Sequence, residues 1–218
     1  MKHEKAKKLT VLAMLSALAY VVVVVTRIPI TSVDFLKYEP KDVVIVIGGF
    51  LYGPLASLAI SVVVSFLEMI TVSSTGWIGM VMNIVSTAAF TCTAALIYRR
   101  KHTLLGAVLG LSAGVVLCTG VMLLWNYLLT PLYMGTSRAD VAAMLLPVIL
   151  PFNLLKSVLN LSITLLLYRP LITGLRKAGL FPKSTAVSKP KRASRIVVWV
   201  AAAALICLCC LAVFLLRR

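Results

Sequence analysis

The chain has 218 residues, 61% of them hydrophobic, a mean hydropathy of +1.04 and only 13% charged residues. A typical soluble domain carries about 25% charged residues, and a chain this apolar could not cover itself with polar surface. A soluble enzyme, a nucleic-acid-binding domain and a disordered tail are therefore excluded, and the net charge of +16 must serve something other than nucleic acid.

A membrane-spanning helix needs about 20 apolar residues, whereas barrel strands alternate over about 10. The runs here are continuous, so the expected fold is all-α, with backbone hydrogen bonds closed inside each helix. In chain order the apolar segments cover 9–29, 43–53, 54–72, 77–98, 104–133, 142–172 and 196–216. The second is short and interrupted by Gly48, Gly49, Gly53 and Pro54. This predicts a polytopic membrane protein, with a six-helix bundle over 1–178, a basic cytoplasmic linker over 179–195 and a seventh, C-terminal transmembrane helix within 196–218.

An N-terminus on the cytoplasmic side puts 15 basic residues inside: four from Lys2 to Lys8, Arg99 to Lys101, and eight from Arg169 to Arg195. Six lie outside (Arg27, Lys37, Lys41, Arg138, Arg217 and Arg218) and Lys156 falls within a helix. That asymmetry supports the orientation for the first six helices, although not for the last. Residues 1–19 resemble a signal peptide, but the apolar run continues through Val25 without a polar cleavage region, so an uncleaved first helix is expected.

Several chemistries have no residues to carry them. The phosphate-binding loop Gly-x-x-x-x-Gly-Lys-Ser/Thr is absent, so any ATP-driven step belongs to a partner. The two histidines, His3 and His102, sit beside basic clusters, and the five cysteines lie in apolar stretches without ligand spacing, so no metal site or cofactor is expected. Gly106, Gly110 and Gly114 share one face of the fifth helix and allow close helix approach, read as packing within the bundle. Ala13 and Ala17 form a similar face on the first helix.

Polar groups within apolar segments are the informative ones, since a mid-membrane ionisable group costs about 2.5–3.5 kcal/mol on insertion scales and commonly faces a cavity or partner. Glu68 and Lys156 are two such groups. Asn153, Lys156 and Asn160 project from one helix face, and Pro147 and Pro151 are expected to break the chain just before them, leaving Lys156 roughly 7–8 Å beyond the break. Asn83 and Asn126 lie toward the same, extracellular, ends, with Trp125, Tyr127 and Phe152 nearby. Aromatic walls with a few convergent polar groups are the composition of a small-molecule pocket. The alternative is a Glu68–Lys156 ion pair and asparagine bridges that fasten helices. The loop from Pro29 to Asp42, with Phe35, Leu36 and Tyr38 among charges, reads equally as a lid or a surface connector.

Three sets of residues then carry a resemblance: Leu36 to Asp42 running into Ile47-Gly48-Gly49-Phe50-Leu51-Tyr52-Gly53-Pro54; Asn126-Tyr127 with Pro131-Leu132-Tyr133; and Pro151-Phe152-Asn153-Leu154-Leu155-Lys156. With Ala13-x-x-x-Ala17 they are ordered over about 8–175 as in the substrate-binding (S) subunits of energy-coupling-factor vitamin transporters, and the chain resembles their riboflavin-binding type. The resemblance implies that riboflavin is captured from outside as transported ligand, that the loop after helix one caps it, and that the chain is no enzyme. It implies as partners a transmembrane coupling subunit, met by Ala13 and Ala17, and two ATP-binding-cassette ATPases in a bacterial cell membrane. It also implies ligand roles for Asn126, Tyr127, Asn153 and Lys156, with Leu36, Lys37 and Tyr38 as lid contacts; Glu68 and Asn83 rest on the geometric argument. An S subunit for another vitamin, a membrane enzyme using Glu68 and Lys156 as acid and base, and a purely structural membrane protein are the competing readings. The basic linker and the 196–216 segment depart from the family pattern and read as an added anchor.

Overall fold

The structure, a computed structural model, is described for residues 2–29, 36–73, 75–177 and 192–216. Phe35, most of the expected linker, Arg217 and Arg218 lie outside the described residues. Five helical stretches are long and apolar enough to cross a membrane. They are α1 (Lys2–Val25), α3 (Pro54–Thr71), α4 (Gly76–Lys101), α5 (Leu104–Met134), and a compound rod of α6 (Arg138–Met144), a π-helical turn (Leu145–Ile149) and α7 (Leu150–Lys177). With the short α2 (Lys41–Tyr52) these make the six-helix bundle, and α8 (Arg192–Leu216) is the seventh helix.

The compound rod differs from the expected break. Pro147 and Pro151 lack the amide that would bond four residues back, and their rings crowd the preceding turn. The chain accommodates them by widening one turn, with the Leu150 amide reaching the Leu145 carbonyl, so the helix continues instead of ending.

Around the bundle α1 packs on α3, α3 on α4, α4 on α5, α5 on α7 and α7 on α8, while α2 touches α1, α3, α4 and α7. That central position explains its sequence: ten of its 12 residues, including both glycines, are buried. One apolar core joins α1, α2 and α3 through Val23, Ile47 and Ile60. The other joins α4, α5 and α7 around Phe50, Tyr98 and Tyr168, with the two tyrosine hydroxyls 2.9 Å apart.

The glycine stripe performs the packing expected of it. A Cβ on Gly110 would lie 2.7 Å from the Ala94 carbonyl oxygen, and one on Gly114 would lie 2.6 Å from that of Phe90. Two of the three glycines thus press α5 onto the α4 backbone. Outward faces carry Leu55, Val116, Leu132 and similar side chains, the pattern of a lipid-facing surface.

Between α1 and α2 the chain forms a two-stranded antiparallel ribbon, β1 (Ile28–Pro29) with β2 (Lys37–Tyr38), pairing Ile28 with Tyr38 and Pro29 with Lys37. It sits at the end of the bundle where α1, α3 and α5 finish and α2, α4 and α6 begin.

Candidate functional site

Depth within the bundle follows from the length of α2. Twelve residues span about 18 Å at 1.5 Å each, against roughly 30 Å of hydrocarbon. A helix whose far end turns through Gly53 into α3 therefore starts well inside the protein. Its first two residues, Lys41 and Asp42, are buried to 0% and 2% exposure. The topology count places Lys41 among the outer basic residues; the structure instead buries it at the head of α2.

Lys41 spends all three ammonium protons on carboxylates, at 2.5 and 2.6 Å from the two Glu68 oxygens and 2.9 Å from Glu39. Asn83 of α4 donates to the Glu68 carboxylate at 2.9 Å. Arg27, at the end of α1, pairs with the other Glu39 oxygen at 3.0 Å and donates to the Val72 carbonyl. The ion pair considered between Glu68 and Lys156 is therefore not the one that forms.

Asp42 organises the second half. Thr87 donates to one of its oxygens at 2.7 Å and Asn160 to the other at 3.1 Å. The Tyr38 hydroxyl donates to the Asn160 side-chain amide oxygen, Oδ1, at 3.0 Å. Burial, and then the Asp42 carboxylate, push the Tyr38 phenol above its ordinary pKa, so it remains a donor. Lys156 reaches Asp42 at 3.9 Å, the longest of the ion pairs. Among the described residues three cations (Arg27, Lys41, Lys156) thus face three carboxylates (Glu39, Asp42, Glu68), so their formal charges balance. Buried charges demand this compensation, because an unpaired one costs several kcal/mol.

The structure brings Tyr38, Glu68, Asn83 and Lys156 together through Lys41, Asp42 and Asn160. Leu36 and Tyr38 pack with Phe152, Leu155 and Leu159 of α7 and with Cys209 of α8. Asn126 and Asn153 are buried in α5 and α7, each donating to its own helix at 2.8 Å, onto the Met122 and Ile149 carbonyls. Thr130 donates to Asn126 at 2.9 Å. Beside Asn126, the indole nitrogen of Trp125 is buried without a hydrogen-bond partner among the described residues. Tyr127 is 38% exposed, and Lys37 lies in the ribbon, half-buried. Ala13 and Ala17 are exposed on the outer face of α1, beside Met14 and Leu18.

Residue-by-residue reading missed Glu39, Lys41, Asp42 and Thr87. A signal was present: an apolar segment too short to cross, headed by Glu39-Pro40-Lys41-Asp42, carries its leading charges into the membrane. Among the described residues no group of three potential metal ligands is close enough to hold an ion.

A helical membrane bundle with a buried, internally neutral polar cluster under a ribbon at one end is the architecture of a small-molecule binding protein of the membrane. Residues 7–168 match the family model described as ECF transporter, substrate-specific component, and the chain belongs to that family. It is 30% identical over 181 residues to the riboflavin transporter RibU of Staphylococcus aureus, covering 80% of this chain and 95% of that one. It is 29% identical over 164 residues to the riboflavin transporter FmnP of Bacillus subtilis, covering 71% of this chain and 86% of that one. A solved structure described as the S component of a bacterial ECF transporter superposes with a TM-score of 0.68 at 28% identity, over 79% of this chain and 99% of that one.

Proposed function

We propose that this chain is the riboflavin-binding subunit of an ECF-type importer, a transport protein that performs no catalysis itself. The observation that carries this reading is the neutral polar cluster beneath the ribbon, in a chain so similar to riboflavin transporters along most of its length. An uncharged, polar, aromatic ligand needs no net counter-charge, but it needs donors, acceptors and apolar walls. Tyr38, Leu36 and Phe152 supply the walls, and Asn126, Asn153 and Lys156 are proposed to read the isoalloxazine edge. Glu68 and Asn83 are proposed for the ribityl hydroxyls, with Lys37 and Tyr127 at the rim.

Lys156 is the cation best placed to exchange partners. Its single carboxylate contact among the described residues lies at 3.9 Å, whereas Lys41 is saturated by three oxygens of two carboxylates. In this reading Lys41 holds α2 and α3 in register, and Lys156 turns to the ligand.

The proposed orientation puts the N-terminus and the basic helix ends in the cytoplasm of a bacterial cell, so the ribbon opens outward. The exposed Ala13 and Ala17 face is proposed to meet the coupling subunit, with two partner ATPases driving delivery. The test is the absorbance and fluorescence spectrum of the detergent-purified chain, followed by a competition panel. Yellow protein whose bound flavin is displaced only by riboflavin and close analogues supports the reading. Colourless protein without riboflavin affinity would sink it.

A further inference from the structure

The end of the bundle remote from the ribbon holds an open cavity of about 440 Å³. It lies where α1, the α2–α3 turn and the end of α4 meet, and Lys8, Arg99 and His102 converge on it. The Lys8 ammonium is 5.8 Å from the centre of the Tyr52 ring, so its stem runs along the cavity wall. The Arg99 guanidinium comes within 3.8 Å of the position a Gly53 Cβ would occupy. Gly53, at φ 91°, leaves that approach open and starts α3, whose N-terminal dipole favours negative charge.

His102 caps α4 in the left-handed conformation, φ 44°, which turns its ring edge-on against Tyr98 at 5.4 Å. Its Nδ1 is buried and has no hydrogen-bond partner among the described residues. None of the lining residues is acidic. Outside the lining, the Glu4 carboxylate, one helical turn before Lys8, lies close enough to act on the Tyr52 phenol, and neither Lys8 nor Arg99 forms a salt bridge among the described residues. Two cations and a helix N-terminus therefore face one space whose lining holds no carboxylate.

The remaining wall is apolar. Leu51 lines the cavity, and Leu55, 79% exposed, carries it onto the lipid-facing surface of α3. A free phosphate would have no use for that wall, whereas a phospholipid needs it to seat glycerol and the first acyl carbons. We propose that this cavity binds the phosphate headgroup of an anionic phospholipid from the leaflet at the basic end of the bundle. Arg99 and Lys8 would grip the phosphate oxygens, and Leu51 and Leu55 would carry the tail. The site lies opposite the vitamin cluster, so its test does not depend on the identity of the vitamin.

The test uses the full chain in detergent micelles, titrated with phosphatidylglycerol or phosphatidylcholine, with retained lipid read by native mass spectrometry and the melting temperature followed in parallel. Saturable binding of phosphatidylglycerol about tenfold or more tighter than phosphatidylcholine is expected from two juxtamembrane cations. The double variant Lys8→Gln/Arg99→Gln should lose most of that preference, while Arg100→Gln, its exposed neighbour, should keep it; unchanged elution in size-exclusion chromatography reports that each variant is folded. Equal binding of the two lipids, or equal losses in Arg100→Gln and the double variant, overturns the site. Displacement of phosphatidylglycerol by inorganic phosphate or glycerol 3-phosphate at matching concentrations overturns the lipid as its source.

Discussion

Lys41 and Lys156 illustrate how two lysines in one membrane bundle take opposite parts. Replacing Lys41 by Met leaves Glu39 and Glu68 facing each other without their shared cation. Breaking a buried pair in this way costs about 3–5 kcal/mol, so Lys41→Met should lower the detergent-state melting temperature sharply, and adding Glu68→Gln should recover part of the loss. A double variant as unstable as the single one would mean that the carboxylate repulsion is not the cause. Lys156→Ala should behave differently, because its 3.9 Å contact contributes little to the fold. If it donates to the flavin, its removal costs about 1.5–3 kcal/mol of binding, or roughly 10–100-fold in Kd. Fluorescence titration with riboflavin measures this, and unchanged affinity would remove Lys156 from the ligand.

Among the elements, the α4–α5 contact is the one most exposed to single changes. Gly110→Leu places a branched side chain where a Cβ alone would already lie 2.7 Å from the Ala94 carbonyl, and backbone cannot swing aside as a side chain can. Overpacking typically costs about 1–3 kcal/mol, so this variant should melt well below the parent. Gly120→Leu, on the same helix with nothing within 4 Å of its Cβ position, should not show that loss, because Leu is the better helix former; equal losses at both positions would mean that the close approach to α4 is not the cause. The α8 helix offers a related test. Ala202 is 1% exposed within the α4–α5–α7 core, and Cys209 packs with Tyr38 and Leu159. Ala202→Trp should therefore weaken the docking of α8 and raise the protease sensitivity of α8 itself. This helix lies beyond the residues matched by the family model, 7–168, yet it is packed on α7 and not held apart from the bundle.

For the whole molecule, the arrangement of charge separates two ends of different character. One end concentrates compensated charges inside the protein, and the other presents lysines and arginines at its rim with few acidic residues nearby. The positive-inside tendency supports the proposed orientation, with the basic rim in the cytoplasm. A reporter active only outside the cell should give signal when fused after Gly135 and none when fused after Lys101. The reverse pattern would invert the orientation and with it the direction from which a ligand enters.

The number of helices, their order and the glycine stripe were all readable from residue type and spacing, because each depends on apolar run length or helical periodicity alone; the family resemblance rested instead on particular motifs such as Pro151 to Lys156. Glu68 and Lys156 also declared themselves, since an ionisable group within an apolar run is costly wherever it points. The partners of those groups were decided by tertiary structure. Lys41 and Asp42 look like loop charges in sequence, and only the depth at which the short α2 begins puts one against Glu68 and the other against Thr87 and Asn160. The two prolines read as a break because a sequence shows the missing amides but not the widened turn that carries the helix past them. Periodicity defines which residues share one helix face; which charge meets which across six helices depends on where each helix starts within the bilayer, and that is set by packing.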